Sequence, residues 1–477
     1  VPAGDTSHCV DGRQFSPTID FYAPPCVPKS NGRNPGATYL GVTASQITVV
    51  DYYPEGNAAV DDSEKAQGLY VSIQQQQQWD SAAADFINSH YELYGRRLKI
   101  VVVQGTCSTI PPDTACLRSE MRSITAQYKP YLFRWISPLT SAPFDELSSL
   151  GVVNVGGIMF TDSFSTARAP YHWDLNMSGT KIAAEFAGWW CNQMSAQPAG
   201  YSAAPTAAGN TDGQKRILGV VGTNDPENIL MREELDQDLR AGCGDHVYHT
   251  YDASNDLSTA AEQMQASVAA MRQNPPSTTV LCLCNPVGAE FVYNEMQQQQ
   301  YYPEIVYAGT VYTDLDDAGQ AMMSGSACPS GRACTFAKAF GLQTSDPRQP
   351  VGHDTAQRVW TASGRTGAAP FSGAELDWEY WNMVATLLEG AGPDLTPANM
   401  AQGAFATPPV GGGSTGHPLR AFSRSSYAWT QDARLTYWDP TRTSSFNQKT
   451  GTYLPVTGWT DAGSWPKGLR GVPVTRS

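Results

Sequence analysis

The stretch WDSAAADFINSHYELYGRRLKIVVV, residues 79–103, decides the fold class of this chain. Its first part, 79–94, carries apolar side chains at the spacing of one helix face, and Gly95 ends it as a C-terminal cap would. Its last part, LKIVVV at 98–103, is a continuous apolar run typical of a strand buried on both faces of a parallel sheet. The run ITVVDYY at 47–53 supplies an earlier strand. This order of strand, helix and strand predicts a βαβ unit.

The same alternation continues along most of the 477 residues. In the first half we predict helices at 114–127 and 141–150 and strands at 131–136 and 151–155. In a second series we predict helices at 180–194, 227–240, 260–273 and 289–300 and strands at 216–221, 246–251, 279–283 and 304–308. A late helix is predicted at 378–389, and residues 421–436 have strand character. At roughly 100–200 residues per domain, this pattern predicts an α/β protein of two or three domains with mostly parallel sheets.

Several segments fall outside this alternation. Residues 1–44 are rich in Pro, Gly and Asn and predict an irregular N-terminal extension. The insert at 195–214 has too little apolar content to pack, so we expect a surface loop there. Two further inserts lie at 328–334 and 345–373. The glutamine run at 74–78 precedes a predicted helix and is expected to extend it.

The charge balance excludes some partners. A net charge of −14 argues against nucleic-acid binding and against docking on anionic lipid. No apolar run approaches the ~20 residues of a membrane-spanning helix. Only 16% of the residues are charged, and small polar residues take their place, as in many exported proteins. No basic-then-apolar leader precedes Val1, so either a signal peptide has been removed or there never was one, and an earlier lipid anchor stays open.

The ten cysteines indicate an oxidising compartment. Three pairs are close in turn-rich sequence and predict disulfides, namely Cys9 with Cys26, Cys107 with Cys116, and Cys328 with Cys334. Cys282 and Cys284 are two apart on a predicted strand and therefore face opposite sides. We expect them to have different partners, for which Cys191 and Cys243 are the candidates, and the pairing stays open. Ten reduced, buried thiols are the alternative, and the spacing disfavours zinc.

Loops that follow the strands are where a ligand is expected. Ligands of open parallel sheets bind beyond the carboxyl ends of the strands. Three such loops, 137–143, 223–227 and 285–286, combine a capping Asn, Asp or Ser with a proline at the start of a helix. The free N–H groups of a helix N-terminus favour a carboxylate or carbonyl oxygen. The alternative is that these residues only cap their helices.

Catalytic and metal signatures are weak. The run GGGSTG at 411–416 fits two glycine-rich motifs, but it lacks the strand and the helix that each motif requires. His246 and His249 have a strand spacing that places them on opposite faces. Asp51, Asp174 and Asp314 are candidates to lie near a cleft but are isolated in sequence. We therefore expect no enzyme activity, no cofactor and no metal.

The order of elements resembles the type I periplasmic binding fold, and specifically the branched-chain amino acid receptor group of ABC-transporter solute-binding proteins. The resemblance covers roughly 40–440, and its carriers are GVT at 41–43, DFIN at 85–88, YGRRLKI at 94–100, SPLTSAP at 137–143, and residues 171–190, 304–309 and 378–390. It implies two Rossmann-like lobes joined by three crossovers, near Leu175, Glu304 and Tyr427. Lobe 1 would then be 45–174 and 304–427, and lobe 2 would be 175–303 and 428–477 with the C-terminal tail.

The resemblance also implies ligand-binding positions in the cleft. Matched position by position, these are Tyr53, Ser137, Thr140, Ser141, Met159, Thr161, Asn176, Met177, Ser178, Asn224, Pro226, Asn285, Thr310 and Tyr312. Two acidic residues that amino-acid binders often place at the first crossover and after Gly309 are missing at the matched positions. A buried ammonium needs such a partner, so we expect a carboxylate, amide or aromatic solute rather than an ordinary amino acid.

The function that the resemblance implies is capture of a small molecule for the membrane permease of an ABC importer. We expect an exported, monomeric protein of the cell envelope or extracellular space. A ligand-sensing receptor ectodomain on the same fold is the first alternative, and a secreted α/β hydrolase is the second.

Overall fold

A computed structural model describes residues 9–468 except 11, 15–18, 29, 31, 59–60, 62–64, 66–69, 137–139, 158, 205–206, 254–256, 274, 324–327 and 329–333, and it describes only the backbone at 257, 258, 287 and 311. The chain forms two parallel-rich sheets, each covered by helices on both faces. Within the described residues, no helix combines the length and the apolar character that crossing a membrane requires.

The first sheet has five parallel strands in the order β4-β3-β5-β6-β7. Their bounds are β3 (Gln46–Tyr53), β4 (Arg97–Gln104), β5 (Leu132–Arg134), β6 (Val153–Val155) and β7 (His172–Trp173). The strands β3 and β4 pair along their whole length, with Ile47 opposite Leu98. The apolar residues of the central strand β3 are buried on both faces, as its apolar run predicted. The run at 98–103 differs from the prediction, because β4 is an edge strand in which Leu98 is buried and residues 100–103 are only partly buried.

Helices from two separate stretches of the chain cover the first sheet. The earlier ones are α1 (Ile73–His90), α2 (Thr114–Tyr128), α3 (Ala142–Ser149) and α4 (Asp162–Ala167), and the later ones are α10 (Thr355–Ala362), α11 (Ala374–Gly390) and α12 (Pro397–Ala406). Ser72 begins α1 with a capping box that includes Gln75, so the glutamine run is the first part of this helix, as predicted.

The second sheet has seven strands in the order β14-β13-β12-β11-β10-β8-β9. Its strands are β8 (Leu218–Thr223), β9 (His249–Ala253), β10 (Thr279–Leu283), β11 (Glu304–Tyr307), β12 (Phe340–Gln343), β13 (Arg434–Thr443) and β14 (Thr450–Pro455). β13 pairs antiparallel with both of its neighbours, β12 and β14, and the other neighbouring strands of this sheet pair in parallel. The helices of this lobe are α5 (Gly179–Trp189), α6 (Pro226–Cys243), α7 (Leu257–Met271), α8 (Pro286–Gln298) and α9 (Asp316–Met322).

The chain passes between the two sheets three times. It leaves the first sheet after β7, returns after β12, and leaves again where Asp174 N–H donates to the Tyr427 carbonyl and Trp429 N–H donates to the Asp174 carbonyl. The return predicted at Glu304 is wrong, because β11 pairs in parallel with β10 of the second sheet. A buried ion pair with Arg216, at 2.8 Å, holds the Glu304 carboxylate inside the second lobe. A strand buried on both faces can belong to either sheet, so the apolar pattern of β11 did not show which sheet contains it.

The insert at 195–214 differs from the prediction of a surface loop. Ala199 and Ser202 are almost fully buried. The Ser202 hydroxyl donates to the Tyr302 carbonyl, and the Gly200 N–H donates to the Glu304 carboxylate. Hydrogen bonds to the second lobe therefore hold this segment in place, which its low apolar content did not reveal.

All ten cysteines form disulfides in the structure. The pairs are Cys9–Cys26, Cys107–Cys116, Cys191–Cys243, Cys282–Cys284 and Cys328–Cys334. The expectation of different partners for Cys282 and Cys284 is wrong. Their Cα atoms are 5.2 Å apart, less than the ~7 Å that two residues span in an extended strand. The chain bends there because β10 ends at Leu283, so strand alternation no longer separates the two side chains.

The N-terminal extension packs against the first lobe. Its described part includes a short hairpin of β1 (Cys9–Val10) and β2 (Arg13–Gln14). The Gln14 amide donates to both oxygens of the buried Glu389 carboxylate at 2.8 Å. Tyr22 is buried in the same core as α11. The extension therefore stabilises the side of the first lobe where α11 lies.

Candidate functional site

The carboxyl ends of the two sheets face each other. Thr161 follows β6 of the first sheet, and Glu227 lies in the first turn of α6, directly after β8 of the second sheet. The hydroxyl and backbone N–H of Thr161 both donate to Glu227 Oε2, at 2.7 and 3.0 Å. This contact joins the lobes across a cleft, which is where ligands of open parallel sheets bind.

A cavity of about 340 Å³ opens beyond the carboxyl ends of β3, β4 and β5. Its size falls within the range of small-molecule sites. The described residues that line it are Asp51, Tyr52, Tyr53, Pro54, Glu55, Gly56, Asn57, Asp61, Tyr70, Val71, Gln76, Thr109, Ile110, Arg134, Trp135, Ile136 and Asp377. All of them belong to the first lobe.

The floor of the cavity is a buried charge network around Arg134. Asp51 accepts two hydrogen bonds from this guanidinium, at 2.8 and 2.7 Å, and Asp377 accepts a third at 2.7 Å. Asp80 lies 3.6 Å from the same group. The guanidinium also stacks 4.1 Å from the centre of the Trp381 ring. The network ties β3, β5, α1 and α11 together at the point where the cavity begins.

Burial and mutual repulsion perturb the acids of this network. Burial and the charge of Asp51 raise the pKa of Asp80 well above its ordinary value. Burial raises the pKa of Asp377 as well, against the opposing effect of Arg134. The pKa of Asp80 is therefore raised by burial and by the neighbouring carboxylates, against the opposing charge of Arg134.

Aromatic side chains form much of the wall. Tyr52, Tyr53, Tyr70 and Trp135 line the cavity, and the Tyr52 and Trp135 ring centres are 4.7 Å apart. The Tyr52 hydroxyl donates to Glu120, and the Tyr53 hydroxyl donates to the Val71 carbonyl at 2.6 Å. These bonds fix the rings in place and commit both hydroxyl protons to the protein.

A second polar cluster lies at the crossovers. The Asp174 carboxylate accepts from the Asn176 N–H at 3.0 Å, and the Asn176 side chain donates to the Tyr380 hydroxyl at 2.8 Å. Burial raises the pKa of Asp174 to about 8. Burial also raises the pKa of Tyr312, which lies beside Tyr380 and Asn176. This cluster joins the first crossover to α11 of the first lobe and to the loop after β11 of the second.

The predicted first-lobe positions fall in different places. Tyr53 lines the cavity. Thr140 and Ser141 lie at the start of α3, where the Thr140 hydroxyl accepts from the Ala142 N–H at 3.3 Å, and neither lines the cavity. Ser137 lies outside the described residues. Of the predicted loop after β5, the described part therefore serves the helix cap.

Three positions predicted around the first crossover serve the second lobe. Met159 and Met177 are buried in the apolar core under the second sheet. Ser178 begins α5 and accepts from the Lys181 N–H at 3.2 Å. The structure thus gives the two methionines a packing role and Ser178 a capping role.

The remaining second-lobe positions lie at the carboxyl edge of the second sheet. Asn224 and Pro226 are exposed where α6 begins. Asn285 caps α8 by accepting from the Gly288 N–H at 2.8 Å. The Thr310 hydroxyl is buried and donates to a carbonyl oxygen of the disulfide loop at 2.9 Å. None of the four lines the first-lobe cavity.

The prediction missed the floor of the cavity. Arg134 stands within the predicted strand at 131–136, and Asp51 within the one at 47–53. A charge inside an apolar strand needs a buried partner, and that signal was present in the sequence. Asp377 is far away in the chain and gave no comparable signal. Among the described residues, no cluster of His, Cys, Asp and Glu is arranged to hold a metal ion.

Comparisons with known proteins show the fold. No protein family matches the sequence, and no curated protein matches it. An ABC transporter solute-binding protein from R. palustris, solved with 4-hydroxybenzoate, is 10% identical with a TM-score of 0.56, covering 88% of this chain and 99% of that one. A branched-chain amino acid ABC transporter protein from Thermus thermophilus with bound valine is 10% identical with a TM-score of 0.56, covering 87% and 97%.

A third structure agrees with these two. It is a solute-binding protein of an ABC transporter from Rhodopseudomonas palustris BisB5 in complex with 3,4-dihydroxybenzoic acid, 10% identical with a TM-score of 0.53, covering 87% of this chain and 98% of that one. The chain therefore has the type I periplasmic binding fold, and the predicted α/β class with mostly parallel sheets is confirmed.

Proposed function

We propose that this chain is an extracellular solute-binding protein that captures a small molecule between its lobes for an ABC importer. The observation that carries the proposal is the cavity of about 340 Å³ at the carboxyl ends of β3, β4 and β5, on the edge that faces the second lobe. Several proteins of the same fold are solute-binding proteins of ABC transporters. The described lining residues contain no arrangement of nucleophile, base and orienting group, which favours binding over catalysis.

Capture would proceed by closure of the lobes. The crossover segments run side by side at Asp174 and Trp429 and form the hinge in this proposal. The contact between Thr161 and Glu227 lies near that hinge and joins the lobes on one side. Closure would bring the carboxyl edge of the second sheet over the first-lobe cavity and remove the ligand from water.

The predicted site residues enter this proposal in two groups. Tyr53 contacts the solute in the open form, because it lines the cavity. Asn224, Asn285 and Tyr312 stand on the facing edge, and we propose that they reach the solute on closure. Among the other described positions, Thr140 and Ser178 cap helices, and Met159 and Met177 pack in the core beneath the second sheet.

The ligand class is narrowed by the wall of the cavity. The expectation from sequence is a carboxylate, amide or aromatic solute. Four aromatic side chains line the cavity, which supports an aromatic or otherwise ring-stacking solute. Disulfides form and persist in oxidising compartments. The five disulfides of this chain therefore support export of the protein. The proposed partner is the permease, and the proposed binding unit is a monomer without a cofactor.

A solute screen tests the proposal. Thermal unfolding would be followed against amino acids, amides, aromatic acids, amines, sugars and polyamines, since a ligand at a hundredfold excess over Kd adds about 2.7 kcal/mol of stability. The shift should disappear in Tyr70→Ala, which removes a ring of the cavity wall, and persist in Tyr248→Ala, whose ring lies beside Lys215 in the second lobe. A ligand that stabilises both variants equally would place the site elsewhere. Labelling of the protein by a probe that reacts covalently with active-site serines would instead support a hydrolase.

A further inference from the structure

The ionisable side chains that line the cavity are mostly acidic. They comprise four carboxylates, on Asp51, Glu55, Asp61 and Asp377, and one guanidinium, on Arg134. A cavity of this composition has a negative potential toward an entering solute.

Arg134, the cationic side chain among the described lining residues, is committed to the protein. Asp51 occupies two of its N–H groups and Asp377 a third, and Asp80 lies close to the same group. Its π-face is covered by the Trp381 ring. A solute carboxylate would have to displace a buried aspartate to reach this guanidinium, and the displaced charge would remain without a partner.

Four neutral side-chain donors of the lining are also committed. The Gln76 amide donates to the carboxylates of the floor, and the Asn57 amide donates to the Ile110 carbonyl at 3.3 Å. The Tyr52 and Tyr53 hydroxyls donate to Glu120 and to a carbonyl oxygen. These four donors are therefore engaged by the protein, whereas carboxylate acceptors line the cavity.

The aromatic wall suits a cation as well. One of its rings already binds an ammonium group, because Lys65 Nζ lies 4.7 Å from the centre of the Tyr70 ring. At the mouth, the Asp61 carboxylate packs so closely on Gly56 that a Cβ there would come within 2.9 Å of it. Carboxylates and aromatic rings that line one cavity are the arrangement that recognises organic ammonium ions.

We infer that this cavity takes an organic cation, with its ammonium group between the mouth acids Glu55 and Asp61 and the Tyr53 ring. The inference rests on the proposed solute-binding function and narrows it. The sequence led us to expect a carboxylate, amide or aromatic solute. The structure instead favours a positively charged group on the solute, while the preference for an aromatic ring remains. The carboxylates and ring faces of the cavity would recognise the ammonium group itself. Amines that carry rings and amines that carry short alkyl groups therefore both belong to the proposed class of solutes.

The test compares three compounds that share a benzene ring and differ in charge. Isothermal titration of the whole protein with benzylamine, benzamide and benzoate compares a cation, a neutral amide and an anion of nearly the same shape. We expect benzylamine to bind at least about tenfold more tightly than benzoate, and its affinity to fall when salt is raised from about 0.01 M to about 0.5 M. Glu55→Gln and Asp61→Asn should each weaken it by about fivefold. The matched control Glu233→Gln, on an exposed part of α6, should leave it unchanged.

The outcomes separate the inference from the function on which it rests. Tighter binding of benzoate, abolished by Tyr70→Ala, would overturn the cation and leave the solute-binding proposal standing. Binding of benzylamine that is equal in all three acid variants would also overturn the inference, because the ammonium would then lie elsewhere. If none of the three compounds binds, the inference fails, and the proposed function is judged by the wider solute screen alone.

Discussion

Replacement of Arg134 by methionine should destabilise the first lobe strongly, because the guanidinium neutralises the carboxylates of Asp51 and Asp377 within a buried network. Removing one partner of a buried ion pair typically costs about 3–5 kcal/mol, since an uncompensated charge remains. For a domain of 150–250 residues this corresponds to a melting temperature lower by roughly 6–20 °C. Methionine retains much of the length and packing of arginine, so the loss reports mainly on charge.

Asp80→Asn provides the matched contrast. The pKa of Asp80 is raised well above its ordinary value by burial and by Asp51, so a neutral amide at this position should be tolerated far better than the loss of the Arg134 cation. The amide oxygen can still accept from the Trp381 indole, which donates to Asp80 Oδ1 at 3.0 Å. We therefore expect this variant to stay within about 1 kcal/mol of the unaltered protein or to be slightly more stable.

Thermal unfolding followed by calorimetry at about pH 5 and about pH 8 checks both statements. In Arg134→Met, Asp377 loses the cation that opposes the raising of its pKa by burial, so lowering the pH should protonate this carboxyl group and restore part of the stability. The reasoning would be refuted if Asp80→Asn were as destabilising as Arg134→Met. It would also be refuted if the arginine variant lost the same stability at both pH values, because the loss would then come from packing.

Three further predictions concern the hinge, the interlobe contact and the extension. Burial raises the pKa of Asp174 to about 8, so folding stability should fall as pH rises from about 4 to about 8, by at most ~1.4 kcal/mol per pH unit from this group; Asp174→Asn should flatten that slope in thermal unfolding. Thr161→Val removes a hydroxyl that donates to buried Glu227 and should cost about 1–3 kcal/mol and enlarge the radius of gyration measured by X-ray scattering; an unchanged radius would show that the contact does not hold the lobes together. Replacing Cys9 and Cys26 by serine opens a loop with a sequence separation of 17 and should cost about 3 kcal/mol in chemical denaturation; reduction of that variant should then have a smaller effect than reduction of the unaltered protein.

Much of the fold follows from sequence periodicity. The apolar run at 98–103 lies within β4 (Arg97–Gln104), and the helix predicted from 79 overlaps α1, because burial selects side chains at the period of each element. What periodicity does not contain is the identity of the neighbouring strand. The strand predicted at 304–308 has the composition of a central strand of either sheet, and only its pairing with β10 and the ion pair of Glu304 assign it to the second lobe.

The candidate site was harder to predict because its groups are far apart in the chain. Tyr53 was found because it ends a strand, and the carboxyl ends of parallel strands are where ligands bind. Asp51 and Arg134 were each visible as a charge in an apolar strand, yet nothing in sequence joined them to Asp377 on α11. Met159 was assigned to the cleft by position alone, whereas its side chain packs in the core of the second lobe.

The charge that the cavity prefers in a solute depends on this connection between Arg134, Asp51 and Asp377, which the sequence did not reveal. By its charge and its place at the carboxyl end of β5 alone, Arg134 would favour a solute carboxylate. In the structure, aspartates on β3 and α11 engage it fully, and Trp381 covers its face. A charge that is neutralised within the fold gives a ligand nothing to bind, so the groups that remain toward the cavity decide its preference. Those groups are the carboxylates of Glu55 and Asp61 and the faces of the tyrosine rings, which together favour a positively charged solute.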